Sequence, residues 1–371
     1  MGSLSEQAGG LTRFYYELLQ HLPQCAVAVR GLVDGSSQES SNSEQSVREF
    51  APPTAPLPIR WRALRREVHR ELTEQRPDLI VSHFAPYTFP VLDIIRPYPL
   101  VVHFQGPWAL ESQFEGARQP TVWAKAYVER TVYRRGLNFI VLSNYSRDIL
   151  CLFYGVPAER IRVVPGGVDA DFFGIDATRP AARERLGWPE DRPIVLAVRR
   201  LVRRVGLDDL VAAMDKVRKR VPDALLLVAG KGPLEGELRS LVRSLRLENH
   251  VRLLGFMPDQ ELPAAYRAAD LTVVPSVAAE GFGLVVVESL AAGTPVLVTP
   301  VGGLPEVVRD LSPEMVLPAT GACSLAEGLT TAFAGELALP DSKAARTYAR
   351  ARYDWPVVAA RVRDVYVEAV S

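Results

Sequence analysis

Cysteine is scarce: Cys25, Cys151 and Cys323 are the only ones in 371 residues, far apart and without the spacing of metal ligands. That argues against a disulfide framework and fits a reducing compartment. Neither sign of charge is in excess. With 43 basic and 43 acidic residues the formal net charge is zero, so the broad positive field of a nucleic-acid binder is missing. No apolar run reaches the length of a bilayer span. The opening "MGSLSEQAGG" has no apolar h-region, so it does not read as a signal peptide. The expected location is the cytoplasm, or the inner face of a membrane as a peripheral protein.

What is present reads as α/β. The chain is long enough for two domains. Short β-branched runs alternate with amphipathic helical patterns, the signature of parallel sheets. In the first half the strand-like runs are "CAVAVRGLV", "LIVSHF", "PLVVHFQG", "NFIVLS" and "IRVVPGG". Helical patterns fall between them, as at Leu11 to Leu22 and Trp61 to Leu72. The rhythm restarts with "PIVLAV", "ALLLVAG", "VRLLG", "LTVVPS", "PVLVT" and "MVLP", separated by helices such as Leu207 to Val221 and Gly283 to Ala292. The expectation is two Rossmann-like domains facing each other across a cleft, residues 1–170 and 171–354, divided where Asp, Pro and Gly accumulate in "VDADFFGIDATRP". Residues 35–46 and the following "APPTAPLP" read as a mobile loop. No G-x-G-x-x-G follows a strand and no Walker loop occurs. Nor does an apolar strand precede "AGG" at residues 8–10, where such a domain would have one. A first strand is missing from the sequence, or the sheet has one strand fewer.

Glycine clusters sit after strands, where open α/β sheets bind ligands. The most informative is "EGFG", which follows "LTVVPS" and opens a helix. Free N–H groups at a helix start favour an anion, and Gly281 and Gly283 let a phosphate approach. Glu280 stands beside that point and Glu288 lies further into an otherwise apolar helix. Carboxylates bind phosphate poorly but accept well from sugar hydroxyls. The pattern therefore points to a diphosphate at the helix start, with one glutamate for a transferred sugar and the other for a ribose. The alternative for Glu288 is a structural charge paired with a neighbouring arginine.

Arg199, Arg200, Arg203 and Arg204 crowd the loop after "PIVLAV". Their forks suit phosphate oxygens, or they form a solvated basic loop. Lys231 in "AGKGP" either reaches a phosphate or decorates a turn. Asp169 and Asp171 form a D-x-D that resembles a metal motif but reads better as a turn or helix cap. His83 and His103 end strands, where histidines are often packed, although "HFQGPW" puts His103, Gln105 and Gly106 at a cleft edge. "RWRALRREVHR", residues 60–70, carries Trp61, Leu64 and Val68 on one face. It either lies on an anionic membrane or packs on its own sheet.

Taken together, these residues resemble glycosyltransferase family 4, the retaining nucleotide-sugar transferases of GT-B fold. The most specific match is "PSVAAEGFGLVVVESLAAGTPVLVTPVGGLPEVV", similar to that family's E-x7-E signature. Supporting it are "AGG", "VVPGGVD", "RRLVRRVGLDDLV", "LLLVAGKGP", "VRLLGFMPDQEL" with Phe256, and "YDWPVVAARVRDVY", in that order along the chain. The resemblance implies that the second domain binds the donor and the first the acceptor. It implies Glu280 on the transferred sugar and Glu288 on the nucleotide ribose. Backbone of Gly281, Phe282, Gly283 and Leu284 would hold the diphosphate and sugar, with Lys231 and Phe256 also at the donor. Arg200 matches a phosphate-binding arginine, Gly9 and Gly10 a first-domain glycine loop, and His103 and Gln105 fall on the acceptor or sugar side. Helix 355–371 would pack back on the first domain. Three departures stand out: Val205 occupies the place of a family lysine, with Arg204 adjacent, Gln105 that of a family histidine, and the strand before "AGG" is missing.

Cleaving a sugar–phosphate bond builds positive charge on the sugar and negative charge on the diphosphate. Arg200, Arg204 and the helix start can stabilise the latter without a metal or other cofactor. The expected reaction is same-face transfer, with retention, from a UDP- or GDP-type sugar to a hydroxyl of a saccharide, lipid-linked or small-molecule acceptor. The competing reading, motivated by Val205, Gln105 and the missing strand, is a catalytically impaired relative that binds a nucleotide sugar or a partner without turnover. A sugar epimerase of the same fold is a third reading.

Overall fold

The computed structural model describes residues 10–35 and 47–371. Gly9 and most of the loop expected at 35–46 lie outside the described residues. The chain divides into two compact units: residues up to Pro165 together with Trp355–Ser371, and Gly166–Asp354.

The first unit holds strands β1 (Gly31–Val33), β2 (Val47–Glu49), β3 (Ile80–Ser82), β4 (Leu100–Phe104), β5 (Asn138–Val141) and β6 (Ile161–Val163). β3-β4-β5-β6 form one parallel sheet, and β1 and β2 a separate parallel pair. The long strand expected over "CAVAVRGLV" is confined to its last three residues. Its start is taken up by a 3-10 turn at Leu22–Cys25 that closes on Ala26 in the left-handed region. Beyond that, β1 extends only as far as β2 gives it a ladder. β2 itself was not legible, because three residues after a polar run show no alternation to read.

β4 is buried along its whole length, as expected of a strand covered on both faces. One face packs Leu100, Val102, Phe104, Phe139 and Val141 against Tyr133 and Leu150. The other packs Val101 and Ile140 against Phe14 and Leu18 of helix Gly10–His21, and against Trp355, Val358, Val362 and Val365 of helix Trp355–Val370. Those four positions recur at helical spacing, so the C-terminal helix has one apolar stripe and buries it. Pro356 separates this helix from helix Ser342–Tyr353, because it has no N–H for the carbonyl four residues back; the chain breaks at Asp354 with ψ 139°.

The second unit is a five-stranded parallel sheet: β7 (Ile194–Val198), β8 (Leu225–Ala229), β9 (Val251–Gly255), β10 (Leu271–Val274) and β11 (Val296–Val298). Their order is β11-β10-β7-β8-β9. The "MVLP" run does not become a strand. Pro313 starts a 3-10 turn through Met315, and Val316 makes a single bridge to Val298. The order matters for function. From β7 the chain winds one way to β8 and β9, and the other side is taken by β10 and β11. Loops leaving the carboxyl ends of β7 and β10 therefore diverge and leave a crevice between them, the place where open α/β sheets bind ligands.

Candidate functional site

Both sequence constellations fall at that switch point. The loop after β7 carries Arg199 to Gly206, and the loop after β10 carries Pro275 to Gly283. The two are tied through their backbones. The Val277 N–H donates to the Arg204 carbonyl at 2.9 Å. Gly206 has φ +71°, and a Cβ there would collide with the Pro275 carbonyl oxygen, so only glycine allows so close an approach.

Glu280 is the centre of the arrangement. It is only 9% exposed. Its carboxylate accepts from the Arg199 guanidinium and, at 2.9 Å, from the Ser276 hydroxyl. Arg199 also donates to Ser276 at 3.1 Å, closing a three-membered network. Burial pushes the Glu280 carboxyl up, but Arg199, Ser276 and Arg204 together outweigh it and hold it below its ordinary value. The buried group is thus a carboxylate. Its backbone is fixed as well, because the Glu280 carbonyl accepts from the Gly303 N–H at 2.9 Å. Beside it Ala279 has φ +52°, uncommon for a residue with a side chain, and its carbonyl accepts from Arg204 at 3.2 Å. Backbone held in such a region tends to mark a functional loop.

Helix Leu284–Ala291 begins next. Gly283 precedes it at φ +90°, and no side chain caps it. Within its first turn the Val286 N–H donates to the Gly283 carbonyl at 2.9 Å, which leaves the N–H groups of Leu284 and Val285 for a ligand. The Phe282 side chain does not compete for that space: it is 4% exposed, with its ring 5.7 Å from that of Tyr353. Glu288 lies on the same helix at 5% exposure and accepts from the Tyr266 hydroxyl at 2.8 Å.

The loops after β8 and β9 join the group. The Leu201 N–H donates to the Lys231 carbonyl at 3.0 Å. The Lys231 ammonium lies 5.5 Å from the centre of the Phe256 ring, and both side chains are exposed. Arg200 is exposed too, and among the described residues its side chain makes no ion pair. The Nε atoms of Arg199 and Arg204 are enclosed without a hydrogen-bond partner. Arg203, by contrast, pairs with Glu237 at the surface, 3.0 Å away. The arginine run thus separates into two exposed members, Arg200 and Arg203, and two partly buried ones, Arg199 and Arg204. Val205, standing where a lysine was looked for, is 2% exposed and belongs to the apolar core, so it offers the site nothing.

In the first unit, Gln105 follows β4 and is half-buried. Gly10 opens helix Gly10–His21, and Gly9 lies outside the described residues. His103 is enclosed. It is 2% exposed, its Nε2 is 2.8 Å from the Tyr366 hydroxyl, and it stacks on His83 with ring centres 4.4 Å apart. Burial and then His83 hold it well below its ordinary pKa, so it is neutral, and its Nδ1 is enclosed without a hydrogen-bond partner. The D-x-D reading as a cap matches its geometry: Asp169 accepts from the N–H groups of Asp171 and Phe172, and Asp171 pairs with Arg350 at 2.5 Å.

Three residues were not singled out from the sequence. Arg199 was only one of a cluster, Ser276 part of a strand end, and Tyr266 one aromatic in a buried helix. The available signal was a buried tyrosine, which needs a hydroxyl partner, in the helix before β10.

Two family models match: Glycosyltransferase Family 4 over residues 8–172 and Glycosyl transferases group 1 over residues 178–352. A GDP-mannose-dependent alpha-(1-6)-phosphatidylinositol monomannoside mannosyltransferase of Mycobacterium tuberculosis is 33% identical over 254 residues, 65% of this chain and 66% of that protein. A D-inositol 3-phosphate glycosyltransferase of Xylanimonas cellulosilytica is 37% identical over 237 residues, 61% of this chain and 55% of that protein. The matches thus span two thirds or less of these relatives' length. Among solved structures, sucrose-phosphate synthase from Thermosynechococcus elongatus has a TM-score of 0.80 at 23% identity, covering 97% of this chain and 94% of that one. Anabaena HepE in complex with UDP and glucose has a TM-score of 0.78 at 21% identity, covering 99% of this chain and 98% of that one. These likenesses identify the architecture as the GT-B fold. With one family model on each half of the chain and the paired glutamates flanking an uncapped helix start, the protein belongs to glycosyltransferase family 4.

Proposed function

We propose that the protein transfers a sugar from a UDP- or GDP-type nucleotide to a hydroxyl acceptor, with retention and without a metal. The observation that carries this reading is the carboxylate of Glu280, buried yet ionised, beside an uncapped helix start at the β7–β10 switch point. In this reading Glu280 holds a hydroxyl of the transferred sugar and Glu288 holds the ribose. The backbone of Gly281, Phe282, Gly283 and Leu284 takes the diphosphate. Arg200, Arg204 and Lys231 neutralise the charge that grows on it as the bond breaks. Phe256 offers a ring face to the donor. Arg199 keeps Glu280 ionised and oriented. The leaving phosphate accepts the acceptor's proton, so no separate base is required. The phosphatidylinositol-mannoside enzyme among the relatives supports a lipid-linked acceptor met at a membrane surface.

The test is transfer from UDP- and GDP-sugars to a panel of acceptors, with and without chelator, followed by anomeric analysis of the product. A retained anomer formed at the same rate in chelator is expected. An inverted anomer, or activity that needs a divalent cation, overturns the mechanism. Nucleotide binding with no turnover on any acceptor overturns the catalytic assignment.

A further inference from the structure

The outer face of helix Gln119–Tyr133 is unusual for a surface. Trp123 is 70% exposed and Tyr127, one turn later, 65% exposed. Arg130 and Arg134 follow at seven and eleven positions from Trp123, so all four residues share one side of the helix. The opposite side buries Val122, Glu129 and Val132. Glu129 is turned inward, accepting from the Tyr154 hydroxyl at 2.8 Å, and so does not offset the arginines outside. Among the described residues Arg130 and Arg134 make no ion pair. The aromatic band continues onto the neighbouring helix. The Tyr127 ring is 6.1 Å from Phe89, and Phe89 is 5.8 Å from Trp61. On helix Leu57–Glu74 a separate side carries Ile59, 53% exposed, ahead of exposed Arg62 and Arg66, away from the side of Trp61. Of those, Arg66 has Glu67 within 3.4 Å and Arg62 makes no ion pair among the described residues.

Helix Gln119–Tyr133 thus presents aromatic side chains followed by arginines on one exposed side. Indole and phenol rings have an apolar body and a polar tip, and settle at the headgroup level of a bilayer. Arginines beside them add attraction to anionic lipid. No helix among the described residues is long and apolar enough to cross a membrane, so contact would be superficial.

We propose that this face, centred on Trp123, Tyr127, Arg130 and Arg134, docks the protein on an anionic lipid surface. The proposal deepens the lipid-linked acceptor reading and rests on it for its purpose, although not for its measurement. The full chain is sedimented with phosphatidylcholine vesicles and with vesicles that also contain phosphatidylglycerol. Binding to the anionic vesicles alone is expected. The Trp123→Ala/Tyr127→Ala double variant should lose about tenfold in partitioning. Arg130→Gln and Arg134→Gln should each lose about fivefold, and the two losses should multiply in the double variant. Circular dichroism, and UDP and GDP affinity, should be unchanged in all of them. Equal binding to neutral vesicles, no binding to either, or anionic binding that survives both sets of changes overturns the proposal. So does a dimer that the double variant dissolves. Vesicle binding needs no donor or acceptor, so a failed transfer assay and a failed sedimentation are separate results.

Discussion

The two sheets end in opposite chemistry. At the carboxyl ends of β7 and β10 the enclosed groups are charged, with Glu280 ionised against Arg199. At the carboxyl ends of β3 and β4 they are neutral: His83 and His103 stack on each other, and burial pushes His83 down to about 3. Both are polar clusters at the place where a parallel sheet binds ligands. One keeps its charge by pairing it, and the other has lost its charge to burial. Position at a strand end is therefore insufficient to assign a function. The partners decide.

Breaking that contrast should be easiest at Arg199. Arg199→Ala strands a carboxylate without its cation, and a loss of about 3–5 kcal/mol is expected in denaturant unfolding of the second unit. Arg199→Lys should recover part of it. A loss under 1 kcal/mol, on the order of a surface pair, would mean that the pair is ornamental. Glu280→Gln keeps shape and removes charge. Turnover should fall by about a hundredfold or more while nucleotide affinity is largely kept, read from kcat against a nucleotide Kd. Unchanged kcat would refute the assigned role.

Smaller effects sharpen the comparison. Tyr266→Phe removes the hydroxyl held by Glu288 and should cost about 1 kcal/mol of stability. It should also weaken UDP or GDP binding, because Glu288 loses its orientation. Tyr366→Phe, the matching change in the first unit, should cost about the same in stability yet leave nucleotide affinity untouched. A shared effect on affinity would erase the distinction between the two clusters.

The pH response separates them last. His83 has a folded pKa of about 3 against an ordinary 6.5. Its neutral form is favoured by folding, so its contribution is complete above about 6.5 and is lost as pH falls towards 3. Glu280 is also lowered, from 4.5, so its contribution is present above that value and is lost only as pH falls below it. Hydrogen exchange measured peptide by peptide should show the first unit loosening near pH 6 to 5, before the β7–β10 loops do. Simultaneous loosening would contradict the assignment.

Much of the site was legible because its elements are local. "EGFG" after an apolar run reads as a strand end, a tight loop and a helix start within a few residues, and the observed helix begins at Leu284. The length of β1 was not legible, since a strand extends only as far as a distant partner permits. His103 was ambiguous for the same reason: the hydroxyl that holds it belongs to Tyr366, far along the chain. Trp123 and Tyr127 escaped notice because an aromatic pair at helical spacing reads as core until the helix's buried side is known.

The sequence by itself determined the alternation of strands and helices, the helix start at Gly283 and the concentration of arginine after β7. These depend on neighbours a few bonds apart. Only the tertiary structure decided which arginine meets Glu280, that Tyr266 holds Glu288, that His103 is shut away and that the aromatic face of helix Gln119–Tyr133 is exposed. Whether a charge is kept or suppressed depends on what surrounds it in space, and packing brings those surroundings from remote parts of the chain.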